Sequence, residues 1–258
     1  MEKLLLNTIK VGLLLVVLSV LFYFNSSMYP FLTLKTVIIQ SIIEILTALW
    51  LVLIVFYPRY RPRLTPITVG LLILLVVLLI SAFFGENFYK SFFSTQARLT
   101  GIFLIIHIVL LFLLLSSVNI SFWRWLWWTS LTAASTGMIF GVIEKFFLHN
   151  LFFSRDSGRA SSLFGNPAFL ASYLLFNVFI GLLLLTNERK KWVKIIAAFF
   201  TSAVALGVLL TQTIGAMAGL AAGVLLILIY YIFQLPRSSK RSFLIGVLFL
   251  VVIFNGVF

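Results

Sequence analysis

Cysteine is absent from all 258 residues, and histidine occurs only at His107 and His149. The first absence removes disulfide frameworks, thiolate catalysis and cysteine-ligated metals, and two histidines are too few for a histidine-rich centre, so no metal and no cofactor is expected. Acidic residues are also scarce, 6 against 19 Lys and Arg, which leaves a net charge of +13. No basic stripe interleaved with aromatics lies on a soluble stretch, so nucleic acid is set aside as a partner. What the chain has in abundance is apolar surface: 62% of residues are hydrophobic and only 10% charged. No soluble fold of this size hides that much oil from water, and the expected solvent is lipid. The amino terminus, Met1-Glu2-Lys3, enters an apolar stretch as a signal peptide does. Phe22-Tyr23-Phe24-Asn25 offers no small-x-small cleavage site, which predicts a retained first span.

Apolar runs of spanning length fall at 4–24, 31–57, 66–84, 100–117, 121–147, 167–186, 192–211, 213–235 and 242–258, separated by Pro, Gly and basic clusters. They predict an all-α polytopic bundle of about nine spans, a single membrane domain over 1–258 with no repeat, linker or second soluble domain. With the amino terminus in the cytoplasm, twelve Lys and Arg fall on inside segments: Lys3, Arg59, Arg61, Arg63, Arg124, Arg189, Lys190, Lys191, Lys194, Arg237, Lys240 and Arg241. Five fall outside, Lys90, Arg98, Lys145, Arg155 and Arg159, and the positive-inside rule selects this orientation. Pro58, Pro62 and Pro66 bracket a tight cytoplasmic turn whose arginines meet lipid headgroups. The ninth run reaches the last residue without a closing charge cluster, and the chain is expected to be cut short at its carboxyl end.

One sustained polar detour interrupts the pattern, Arg155-Asp156-Ser157-Gly158-Arg159-Ala160-Ser161-Ser162-Leu163-Phe164-Gly165-Asn166-Pro167, on the predicted outer side. Arg155 and Arg159 each present a planar fork suited to phosphate oxygens, and Gly158 and Gly165 permit close backbone approach. Asn166 is placed to cap the following helix and Pro167 to open it, which aims unpaired N–H groups and a positive dipole end at the same spot. Anion binding is one outcome. The other is an ordinary polar loop in which Arg155 pairs with Asp156 and both arginines meet lipid phosphates.

A second outer segment, 86–98, mixes aromatics with polar residues and reads as an interfacial stretch. Arg98 stands at the mouth of the next helix, as a phosphate contact or a snorkelling side chain. His107 lies within that helix, more simply as a buried histidine bonded to a neighbouring helix than as a base. Thr36, Gln40, Glu44 and Thr47 share one face of the second span, with Glu44 near mid-membrane. A carboxylate there is costly, and an arginine from another helix is the expected partner, ahead of a protonated acid or a place in a proton or ion path. Glu144 and His149 lie near an outer helix end, where exposure tolerates both without a function. Thr211-Gln212-Thr213 forms a short outer turn, and Gly215, Gly219 and Gly223 after it give a smooth face for helix packing.

These residues resemble the O-antigen ligase and O-antigen polymerase family of bacterial membrane glycan-transfer proteins. Gly158-Arg159-Ala160 with Phe164-Gly165-Asn166-Pro167-Ala168-Phe169-Leu170-Ala171-Ser172-Tyr173-Leu174-Leu175 is similar to the family's Arg, Gly-Asn-Pro and Leu-Ala-x-Tyr stretch. Phe92-Phe93-Ser94 followed by Arg98, Gly101 and His107 is similar to its upstream Arg-x-x-Gly segment, and Thr211-Gln212-Thr213 with Gly215, Ala216 and Gly219 to the opening of its best-known domain. Together the three passages fall within 85–223. The resemblance implies a multi-pass protein of the bacterial plasma membrane that takes a glycan from an undecaprenyl-pyrophosphate carrier and passes it to an acceptor glycan or lipid. Arg159 and Arg98 fit the family's pyrophosphate-binding arginines, with Arg155 and Asn166 as further contacts and His107, Glu44 and Thr213 in support; no catalytic residue is assigned. Two departures stand out. Ile214 occupies the place of a family arginine, and the family's large outer loop with its histidine would follow a span equivalent to the ninth, so the 258-residue chain is expected to be inactive alone. The competing readings are a transporter or flippase that couples through the Glu44 face, and a degenerate, non-catalytic relative.

Overall fold

The computed structural model describes residues 1–24, 29–95, 98–147 and 158–234, and these contain helices and turns but no strand. In chain order the helices are α1 (Glu2–Leu18, extended by a 3-10 turn Ser19–Leu21), α2 (Thr33–Phe56), α3 (Pro66–Phe83), α4 (Phe88–Phe93), α5 (Ile102–Ser117), α6 (Ile120–Phe146), α7 (Pro167–Asn187), α8 (Lys191–Leu210) and α9 (Ile214–Gln234). Seven of them are long and apolar enough to cross a membrane, α1 with its extension, α2, α3, α6, α7, α8 and α9. The chain is a multi-pass membrane protein. The 16 residues of α5 are apolar but rise only about 24 Å, less than a hydrocarbon core of roughly 30 Å. Eight of the expected runs therefore have their helix, and the ninth, 242–258, lies outside the described residues.

Helix starts follow local chemistry. Thr65 accepts from the Thr68 N–H ahead of Pro66, Asn87 from Lys90, Asn119 from Ser121 and Asn166 from Ala168 ahead of Pro167. Each cap satisfies an N–H that the first turn leaves unpaired, and proline at the first position loses no hydrogen bond. The segment after α3 folds into the six-residue α4, where the rings of Phe83, Phe88 and Phe92 contact one another in series.

Two cores meet at α6. Leu131 and Ala134 of α6 pack with Leu170, Leu174 and Val178 of α7 and Val204 and Val208 of α8. Phe122 and Leu126, nearer the start of the same helix, pack with α1, α2 and α5 through Ile9, Leu13, Ile43, Leu53 and Leu114. Large apolar side chains on α3 and α9, among them Ile73, Val76, Leu226 and Phe233, are exposed, the pattern of helices whose outer faces meet lipid.

Candidate functional site

Within the polar detour, Ser161 and Ser162 hold a carboxyl group of the chain itself. Glu144, near the end of α6, is buried, not exposed at an interface as its position predicts. Its Oε2 accepts from the backbone N–H groups of Ser161 (2.9 Å) and Ser162 (2.6 Å), and its Oε1 from the Ser161 hydroxyl (2.8 Å). Ser162 adopts φ +52 after the right-handed Ser161, which turns two successive N–H groups toward one oxygen, a backbone nest. The Ser162 hydroxyl donates to the Gly137 carbonyl (2.7 Å) and ties the loop to α6 a second time. From the other side Lys35, two residues into α2, donates to the carbonyls of Val20 (2.8 Å) and Leu163 (3.1 Å) and lies over the Phe164 ring. Gly165, at φ +65, sits against the ring of Phe31, where a side chain would collide.

Arg159 reaches from this loop to the α8–α9 turn. Its Nε donates to the Thr211 carbonyl (3.0 Å), and its Nη2 to the Thr213 hydroxyl (3.0 Å) and, at a long 3.5 Å, to the Gln212 carbonyl. Lys145 donates to the Leu210 carbonyl beside them (3.1 Å). Two cations thus cap the carbonyl end of α8, where the helix dipole is negative and the last carbonyls lack partners within the helix. Gln212, held at φ +51, is stabilised in a conformation that L residues seldom adopt.

The other candidate residues are spread more widely. Asn166 caps α7 with a 2.8 Å bond from the Ala168 N–H, as its position predicts. Arg98 is exposed on the turn before α5, and no described hydrogen bond or cavity joins it to Arg159; α5 packs on α2, α3 and α4, whereas α7 packs on α6, α8 and α9. Beside the Arg98 turn, Ser81, Ser91 and Thr100 line a cleft of about 260 Å³. Arg155, Asp156 and His149 lie outside the described residues. Ile214, in the place of the family arginine, is exposed at the start of α9. Of the small residues behind it, Gly223 packs on Phe179 and Gly219 approaches Leu175, while Gly215 faces open space.

Glu44 has a partner on another helix, and it is not the expected arginine. His107 of α5, buried, places Nε2 at 3.0 Å from Glu44 Oε1 and Nδ1 at 2.7 Å from the Phe103 carbonyl. Of the other face positions, Thr47 donates to the Ile43 carbonyl and Gln40 is buried.

At the opposite end of the bundle are two further carboxylates that the sequence left unremarked. Glu188, just past α7, accepts from Arg124 Nε (2.7 Å), Arg124 Nη2 (2.9 Å) and Trp128 Nε1 (2.9 Å). The bond from Arg124 holds its carboxyl below the usual range, with Trp128 adding to the effect and burial opposing it. Glu2 accepts from Arg59 and from the Tyr60 hydroxyl (2.9 Å). The signal for both pairs was present, since six acids among nineteen bases seldom lack a basic neighbour, but the pairing elements lie far apart in sequence. Among the described residues no three His, Asp or Glu side chains gather as metal ligands. Compared with known proteins, the chain matches no family model, no curated protein and no solved structure.

Proposed function

We propose that this chain belongs to the machinery that transfers a glycan from an undecaprenyl-pyrophosphate carrier to an acceptor sugar, as an O-antigen ligase or polymerase does, at the outer face of the bacterial plasma membrane. The observation that carries the reading is the bond between Arg159 and Thr213. It joins two passages that carry the family resemblance, more than fifty residues apart in sequence, at one end of the bundle. That end also holds Lys145, the start of α7 at Asn166 and the hydroxyl-bearing turn Thr211–Thr213.

In such a transfer the bond between the first sugar carbon and the pyrophosphate oxygen breaks, negative charge grows on the departing pyrophosphate, and the acceptor oxygen bonds to the same carbon. A fixed guanidinium lowers that barrier without a metal, because its donors are oriented before the charge appears. The long Arg159 contact to Gln212 is the one an incoming phosphate oxygen would replace, since a charge-assisted bond is shorter and stronger than a neutral one. The partners in this reading are the lipid-linked oligosaccharide, an acceptor glycan or lipid, and the surrounding membrane lipids.

Arg159→Lys is the informative variant. Lysine keeps the charge and can cap a carbonyl, as Lys145 does at Leu210, but it lacks the fork. Transfer from lipid-linked oligosaccharide in membranes carrying the variant in a full-length protein should fall by about a hundredfold. Wild-type transfer by a normally accumulated Arg159→Lys protein would refute the reading.

A further inference from the structure

We propose that Glu44 and His107 form a proton-binding site inside the membrane, with the proton carried on Glu44 Oε1 and accepted by His107 Nε2. The geometry limits the choices. The Phe103 carbonyl, 2.7 Å from His107 Nδ1, can only accept, so Nδ1 bears a hydrogen. The 3.0 Å contact between Nε2 and Glu44 Oε1 then needs one proton between them. Either an undissociated acid donates to a neutral imidazole, or an imidazolium donates to a carboxylate.

Position decides between the two. Glu44 is the twelfth residue of a 24-residue helix, about 18 Å from either end and so near the middle of the hydrocarbon. His107 is enclosed, with 3% of its side chain exposed, but 57% of the Glu44 side chain is open on the outer surface of the bundle. Its described hydrogen bond uses Oε1, so a carboxylate would present a bare anionic oxygen to lipid. The neutral acid–imidazole pair carries no formal charge and avoids that desolvation cost.

Charged groups on the surrounding elements are engaged elsewhere or lie at helix ends. On α1, Glu2 bonds Arg59 and Tyr60 of the turn after α2, Lys10 lies over the Phe122 ring, and Lys3 stands at the helix start. Lys35, on α2 itself, bonds the Val20 and Leu163 carbonyls. Helix α3 carries no ionisable residue, α4 carries Tyr89 and Lys90, both exposed, and Arg98 is exposed on the turn before α5. Glu144, by contrast, has three donors on its two oxygens and no exposed face.

The proposal is independent of glycan transfer and is tested on the full chain in lipid vesicles. Dicyclohexylcarbodiimide partitions into bilayers and reacts with undissociated carboxyl groups: the acid oxygen bonds to the carbodiimide carbon while the acid proton passes to nitrogen. An oxygen-to-nitrogen acyl shift then leaves a stable N-acylurea. Peptide mass spectrometry should find the adduct on Glu44, whereas a water-soluble carbodiimide should modify the exposed Glu86 and spare Glu44. Infrared difference spectra are decisive. The wild type should show a protonated-carboxyl stretching band that Glu44→Gln loses, the glutamine amide still donating to Nε2. If the variant fails to accumulate, wild-type protein before and after the apolar reagent supplies the same difference, because the acylurea no longer holds the acid. An unchanged carboxyl band in these spectra overturns the proposal.

Discussion

The two carboxylates at opposite ends of α6 and its neighbours are held by opposite kinds of donor. Glu144 sits among uncharged N–H and O–H groups of Ser161 and Ser162, while Glu188 is gripped by the Arg124 fork and the Trp128 indole. The second arrangement has a pH dependence whose sign follows from its cause. Arg124 favours the ionised form, so the folded-state pKa of Glu188 lies below the unfolded one. The resulting stability is fully present above the unfolded value, about 4.3, and is lost as pH falls through the lower folded value. Arg124 is more than half exposed, so solvent screens part of the gain, and Glu188→Gln should cost on the order of 1–2 kcal/mol at neutral pH. Thermal unfolding in nanodiscs across pH measures this. The gap between variant and wild type should close in acid, and a gap of constant size down to the lowest pH would show that the ion pair contributes nothing.

Among the helices, α7 and α8 pack most extensively, and one residue on each brings them into close contact. Gly181 has no side chain at the point where Thr201 crosses; an added Cβ would lie 2.9 Å from the Thr201 Cβ and overlap its hydroxyl, which is already bonded to the Ala197 carbonyl. Packing of small residues is what holds helices together where lipid competes for every apolar face. Gly181→Val should therefore destabilise the pair by about 1–3 kcal/mol, and Thr201→Ala in the same chain should recover part of it. Detergent-resistant unfolding of the single and double variants checks both, and equal loss in the two would mean that the strain is taken up elsewhere. Element boundaries were legible because they are local: Pro66, Pro167 and Asn166 mark starts whatever else the chain does. Partners across elements were not. Nothing near Glu44 in sequence announces His107, because α2 meets α5 past two intervening helices, and nothing near Ser161 announces that Glu144 will fill its nest. The grouping of Arg159 with Thr213 came through family resemblance, and the bond between them is long-range in the same way. Arg98 shared that grouping, yet its neighbours belong to the α5 side of the bundle.

At the scale of the molecule, the hydrogen bonds between elements sort the chain into two ends. Glu2 with Arg59 and Tyr60, and Arg124 with Glu188, lie at one end; Lys35 with Leu163, Lys145 with Leu210, and Arg159 with Thr211 lie at the other. Alternating helices α6, α7, α8 and α9 require this partition, since each crosses once between consecutive turns. The first end also collects most of the unpaired-sign charge of the chain, including Arg61, Arg63, Arg189, Lys190, Lys191 and Lys194, and a loop rich in Lys and Arg resists translocation. That end should face the cytoplasm, and Arg159 the opposite side. Because the chain has no cysteine, introduced thiols report without background. Glu86→Cys, exposed between α3 and α4, and Arg189→Cys, exposed between α7 and α8, stand at opposite ends. In intact cells a membrane-impermeant maleimide should label the first and spare the second, with both labelled once the membrane is opened. The reverse pattern would put Arg159 and its turn in the cytoplasm, where an outward-facing glycan carrier cannot meet them, and would remove the proposed transfer along with the orientation.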